Sequence, residues 1–114
     1  PDFADSYLNL GNILKDLGKL QEAEFSYRKA IEIKPDFADA YSNLGNILNV
    51  LGKLDEAIFC YEKAIDTDQN LESALEGIGR SLLKKGNHSE GLLKIRDAIG
   101  SIGFNPNKSS IIIN

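Results

Sequence analysis

PDFADSYLNLGNILKDLGKLQEAEFSYRKAIEIK, residues 1–34, is followed directly by PDFADAYSNLGNILNVLGKLDEAIFCYEKAIDTD, residues 35–68, with about two-thirds of the letters unchanged. A unit of 34 residues cannot bury its own apolar face. The repeat therefore predicts stacked copies, a solenoid in which each unit touches mainly its neighbours. A third, weaker copy continues at the same period. Tyr7 and Tyr41 run on to Leu75, Gly11 and Gly45 to Gly79, Leu14 and Leu48 to Leu82, Gly18 and Gly52 to Gly86, and Ala30 and Ala64 to Ala98. The expected organisation is one array, with units at 1–34, 35–68 and 69–102 and a tail at 103–114.

Each unit reads as two amphipathic helices. Tyr7, Leu10, Ile13, Leu14 and Leu17 recur at three- and four-residue steps, the spacing of one helix face. Asp2 and Asp36 are expected N-caps, with Asp5 and Asp39 adding negative charge in the first turn. Gly18 and Gly52 stand where the first helix ends and the chain must turn, a place that favours positive φ. The second helix is expected from about Leu20 to Ile33, with Ala23, Tyr27, Ala30 and Ile31 inward. Its counterpart runs from about Leu54 to Asp66, using Ala57, Tyr61, Ala64 and Ile65. Pro35 closes the first unit, since proline pushes its predecessor Lys34 out of helical angles. Small residues at Gly11, Gly45, Ala23 and Ala57 allow close helix approach beside large neighbours.

The third unit departs from the pattern. His88 replaces Leu20 and Leu54, Gly91 replaces Ala23 and Ala57, and Ile95 replaces the tyrosines. Glycine inside a helix costs about 1 kcal/mol relative to alanine, so the helix at 89–99 is expected to be the least stable of six. The tail reads as a turn at 104–108 followed by a stretch ending in three isoleucines. It either folds back over the last helix or links to a further domain. The second reading is preferred, because the chain opens on Pro1 in mid-rhythm, as a piece of a longer protein would.

Composition narrows the function. The net charge is −4 over 114 residues, and the pI is near 4.9. A phosphate backbone would be repelled, so nucleic acid is not an expected ligand. No run of about 18 apolar residues exists to span a bilayer. One cysteine, Cys60, allows no internal disulfide and suits a reducing, cytoplasmic compartment. The single histidine rules out a multi-histidine metal site within one chain, and Cys60 has no histidine near it in the pattern to activate it. Gly11, Gly45 and Gly79 fall inside helices and form no phosphate loop. No cofactor, metal or catalytic set is expected.

The pattern Tyr7-x2-Leu10-Gly11-x2-Leu14 with Gly18, Ala23, Tyr27, Ala30 and Pro35 resembles the tetratricopeptide repeat. The second unit matches too, except that Gln69 replaces the closing proline. The strings Asn9-Leu10-Gly11-Asn12 and Asn43-Leu44-Gly45-Asn46 are most similar to the repeats of O-linked N-acetylglucosamine transferases. That resemblance implies an all-α, right-handed superhelix whose first helices line a concave groove. It also implies that Asn9, Asn12, Asn43 and Asn46 form a ladder pairing with the backbone of an extended peptide, since an amide offers donor and acceptor together. The ladder breaks in the third unit, where Gly77 and Arg80 stand. Arg80 and Lys84, one turn apart, are expected to give that end of the groove a positive patch for a carboxylate, with Lys15 adding charge complementarity. A two-carboxylate clamp like that of chaperone-binding members is not expected. Asn12 and Asn43 fit it, but Leu8, Ser73 and Gly77 stand where basic residues belong. The expected function is a scaffold that binds a protein, as an extended peptide or a helix. The alternatives are a targeting arm of a larger glycosyltransferase or oxygenase, and a module that self-assembles through uncapped repeat ends.

Overall fold

The three glycine turns set the architecture. In a computed structural model describing residues 3–68 and 72–100, Gly18, Gly52 and Gly86 have φ of 81°, 85° and 95°. Each closes a helix in the same way. Gly18 N–H donates to the Lys15 carbonyl at 2.9 Å and Lys19 N–H to that of Leu14 at 2.9 Å. The pairs Gly52–Asn49 with Lys53–Leu48, and Gly86–Leu83 with Asn87–Leu82, repeat it. Two orphan carbonyls are thereby satisfied and the chain reverses within three residues.

The helices are α1 (Phe3–Asp16), α2 (Leu20–Ile33), α3 (Ala38–Val50), α4 (Leu54–Thr67), α5 (Glu72–Lys84) and α6 (His88–Gly100). They form three antiparallel pairs, joined where α2 meets α3 and α4 meets α5. Among the described residues the backbones of α1 and α3, and of α3 and α5, also come close, whereas those of α2 and α4, and of α4 and α6, stay apart, α2 and α4 being bridged by side chains. Pairs that meet along one row and splay along the other make a curve with the odd-numbered helices inside. The result is an all-α solenoid, elongated at 50 × 28 × 21 Å.

Two buried tyrosines knit the stack. Tyr27 and Tyr61 are fully buried, each lying against the helix it faces at a glycine. A Cβ on Gly11 would stand 2.6 Å from Tyr27 Cε1, and one on Gly45 2.8 Å from Tyr61 Cε1. The Tyr61 ring also abuts Gly77 of the next pair, so it is wedged between two glycines. Around them Leu44, Ile47, Leu48, Ala57, Ala64 and Ile78 complete the main core.

Several details differ from the expectations. α3 begins at Ala38, and its cap position belongs to Phe37, whose side chain is apolar and makes no capping bond; Asp36 is therefore not the N-cap. The Phe37 ring instead is buried against Ala4, Ala30 and Ala40. α4 runs one residue further, to Thr67. Gly91 carries a packing role beside its propensity cost. A Cβ there would meet the Gly79 carbonyl oxygen at 2.7 Å and Leu83 Cγ at 2.8 Å, so α5 and α6 cross nearly backbone to backbone. Lys34 ends α2 in extended geometry (φ −130°, ψ 91°) before Pro35, as its position ahead of a proline demands. The expected cap at Asp2, the site of Gln69, the packing of the His88 side chain and the tail with its isoleucines lie outside the described residues.

Candidate functional site

The inner row of helices carries the asparagines, and the structure gives three of the four a partner within the protein. Tyr27 Oη donates to Asn12 Oδ1 at 2.7 Å, and Tyr61 Oη donates to Asn46 Oδ1 at 2.5 Å. Asn43 Nδ2 donates to the same Asn12 oxygen at 3.3 Å, across the boundary between pairs. Each tyrosine ring packs on glycine while its hydroxyl reaches an inner-face amide, so a buried donor finds its acceptor without water. The Tyr27 hydroxyl is pushed up to about 12 by burial, helped by the Asp16 carboxylate. Asn9 is exposed on α1. Lys15, half-buried on α1, stands apart from the other two cations.

Arg80 and Lys84 do come together. With Asn46, Asn49, Val50 and Tyr61 they line a cavity of about 280 Å³ between α3 and α5, on the inner row. Lys84 Nζ donates to the Asn49 backbone carbonyl at 3.2 Å. Asn49 itself is buried and its Nδ2 donates to Ser81 Oγ at 2.6 Å, fixing the floor. Arg80 lies by the Tyr61 hydroxyl; burial pushes that group up, and the guanidinium charge and its hydrogen bond work against the shift. Glu76 holds Arg80 only loosely, at 3.8 Å and exposed, which is worth little in water. Two cations, an amide and one exposed apolar side chain (Val50) therefore surround an open pocket suited to a carboxylate.

Asn49, Val50 and Tyr61 were not anticipated in this site. A signal existed: unit two departs from unit one at these two adjacent positions, where Lys15 and Asp16 become Asn49 and Val50. With Asn49 at the position of Lys15 the floor carries one cation fewer, and the amide side chain supplies the donor that holds Ser81.

A second cavity, about 380 Å³, opens on the outer side between α2 and α4, with Ile31, Tyr41, Phe59 and Cys60 in its wall. Arg28 bridges its rim to Glu56 at 3.4 Å. The Cys60 thiol is pushed up to about 11 by burial, so it stays a thiol near neutrality and is a poor nucleophile.

Comparison with known proteins agrees with this architecture. The family model described as TPR repeat matches residues 11–49, and the one described as tetratricopeptide repeat matches residues 38–71. No curated protein matches the sequence. Among solved structures, a crystal structure of MamA is 30% identical with a TM-score of 0.81, covering 86% of this chain and 57% of that one. A second MamA structure is 27% identical at TM-score 0.81, with 97% and 58% covered. The chain thus spans under three-fifths of the MamA length. The Yersinia enterocolitica type III secretion translocator chaperone SycD superposes with a TM-score of 0.86 over 97% of this chain and 84% of that one, at 20% identity, a likeness of fold. No helix among the described residues is long and apolar enough to cross a membrane. Helix pairs repeating every 34 residues, a glycine turn in each, a tyrosine locked on glycine in two of them and matched models that together span residues 11–71 lead to one conclusion: this chain belongs to the tetratricopeptide repeat family.

Proposed function

We propose that the chain is a protein-binding module without chemistry of its own, and that its inner curve holds an extended acidic peptide. The observation that carries this reading is the cavity between α3 and α5, where Arg80 and Lys84 converge in a chain whose net charge is −4. Cations gathered against the overall charge select partners by sign, favouring anionic groups there and repelling them elsewhere. A side-chain or C-terminal carboxylate fits between the guanidinium and the ammonium, with the Asn46 amide as a further polar contact.

Further along the groove, the backbone-pairing role belongs first to Asn9, which is exposed. Asn12, Asn43 and Asn46 already serve the fold through one polar atom each. Their remaining amide atoms are what a peptide backbone would meet. Lys15 extends the positive charge towards the α1 end.

An array of extended decapeptides of acidic, neutral and basic composition, each with a free or an amidated C-terminus, tests the reading. Acidic peptides should be retained, and the Arg80→Ser/Lys84→Ser double variant should lose them by about tenfold or more, the scale of a charge-assisted hydrogen bond. Asn9→Ala should weaken the same peptides without moving the melting temperature. Equal retention of all three compositions, or a double variant that binds as well as the parent, contradicts the proposal.

A further inference from the structure

Three residues of the inner row depart from the repeat together, and the structure joins them. Ser81 is fully buried at the place that Ile13 and Ile47 hold in the other units. Asn49 is buried where those units carry Lys15 and Leu83, and Lys84 is exposed where they carry Asp16 and Val50. Asn49 Nδ2 donates to Ser81 Oγ at 2.6 Å, and Lys84 Nζ donates to the Asn49 carbonyl at 3.2 Å. The three residues thus link α3 to α5 by two polar contacts, one buried and one at the mouth of the cavity.

A buried amide and a buried hydroxyl cost free energy unless both are bonded. No buried side-chain nitrogen or oxygen among the described residues lacks a partner. Even so, an apolar pair of similar shape would hold the helices as well or better, and buried Ile47 stands at the matching place of α3. What the polar pair adds is direction: apolar surfaces slide over one another, whereas a hydrogen bond fixes one donor on one acceptor. Ser81 and Lys84 lie three residues apart on one face of α5. The bond at Ser81 therefore sets where the Lys84 stem begins relative to the last turn of α3. The carbonyls of that turn are partially negative and receive a cation well. A lysine on its flexible stem would otherwise wander in solvent; here its charge stays beside Arg80.

We propose that Asn49 and Ser81 are positioning residues for the Arg80–Lys84 pocket: their bond sets α5 on α3 so that the Lys84 ammonium rests on the Asn49 carbonyl, and the pocket thereby selects a peptide carrying one carboxylate at a fixed place. A held cation reads where a carboxylate lies, whereas a free one reads only its sign. This rests on the acidic-peptide reading of the pocket and deepens it from charge to register.

Side-chain NMR relaxation of carbon-labelled lysines tests the positioning without any peptide. Lys84 should be ordered in the parent and, in Asn49→Leu/Ser81→Ala, as mobile as the exposed Lys19. Thermal melts should show this double variant to be at least as stable as the parent. Amidated neutral decapeptides with one aspartate, moved a position at a time, test the selection. The parent should favour one position about tenfold over its neighbours. The double variant should bind that peptide about tenfold more weakly, with its preference shrunk to about twofold. Added to Lys84→Ser, the same two substitutions should change affinity by less than about twofold, because they act through the ammonium. A parent Lys84 as mobile as Lys19, a double variant that keeps the positional preference, or an equal loss in the absence of Lys84 overturns the proposal. An ordered Lys84 in a parent that binds none of the peptides overturns the acidic-peptide reading, and the claim of register with it.

Discussion

Tyr27 and Tyr61 do two jobs, each filling the core with its ring and ordering the groove with its hydroxyl. Removing the oxygen alone separates the two. Tyr27→Phe should cost about 1 kcal/mol in urea unfolding, the ordinary worth of one hydrogen bond, and should leave Asn12 held by Asn43 alone. A cost near zero would mean that the amide is already satisfied by water. The glycines facing the rings are a stricter matter. Alanine at Gly45 improves helix propensity by about 1 kcal/mol, but its Cβ would stand 2.8 Å from a fully buried ring that Gly77 blocks from behind. Overpacking should prevail, and Gly45→Ala should lose about 1–3 kcal/mol in the same assay. A stabilised variant would show that the ring can retreat. The tyrosine–asparagine bonds escaped the sequence reading, because linking residues 12 and 27 requires the rotation of both helices. A trace of them was nevertheless present: Tyr and Asn recur together in the first two units and vanish together in the third, as Ile95 and Arg80.

At the scale of elements, helix number, pairing and turns were legible because they depend on local chemistry repeated three times. The glycine turns and Pro35 behave as their backbone preferences require. Where the expectation slipped, tertiary packing prevailed over local propensity: Phe37 displaces Asp36 from the cap of α3 by burying its ring, and Gly91 trades helix propensity for a close crossing with Gly79. Pairing of helices also sets the response to alkali. Cys60, ordinarily near 9.0, is pushed up to about 11, and Tyr27, ordinarily 10.0, to about 12, in each case chiefly by burial. Both groups are neutral when protonated and are raised in the folded state. Their stabilising contribution is thus complete below the unfolded values and fades as pH climbs to the folded ones. Thermal melts followed by circular dichroism should hold level from pH 7 to about 9 and then decline to about 12. Cys60→Ala should remove the part of the decline that starts near 9. A melting temperature unchanged up to pH 12 would contradict the burial of both groups.

Across the whole molecule, curvature places the odd helices inside and leaves the outer row with a different surface. Phe25 and Phe59 recur there at one period, 61% and 55% exposed, each under a lysine ammonium at 5.7 Å from the ring centroid. The positive pocket was legible in part, since Arg80 and Lys84 are one turn apart on any helix. Its walls from α3 and α4 were not, because they depend on how one pair sits on the next. The most direct test is amide chemical-shift mapping of the isotope-labelled chain during titration with an acidic decapeptide. Perturbations should gather on Asn46, Asn49, Val50, Arg80 and Lys84 and extend along α1 and α3 towards Asn9. Shifts concentrated instead around Phe25 and Phe59, with the inner row silent, would contradict a binding surface on the inside of the curve.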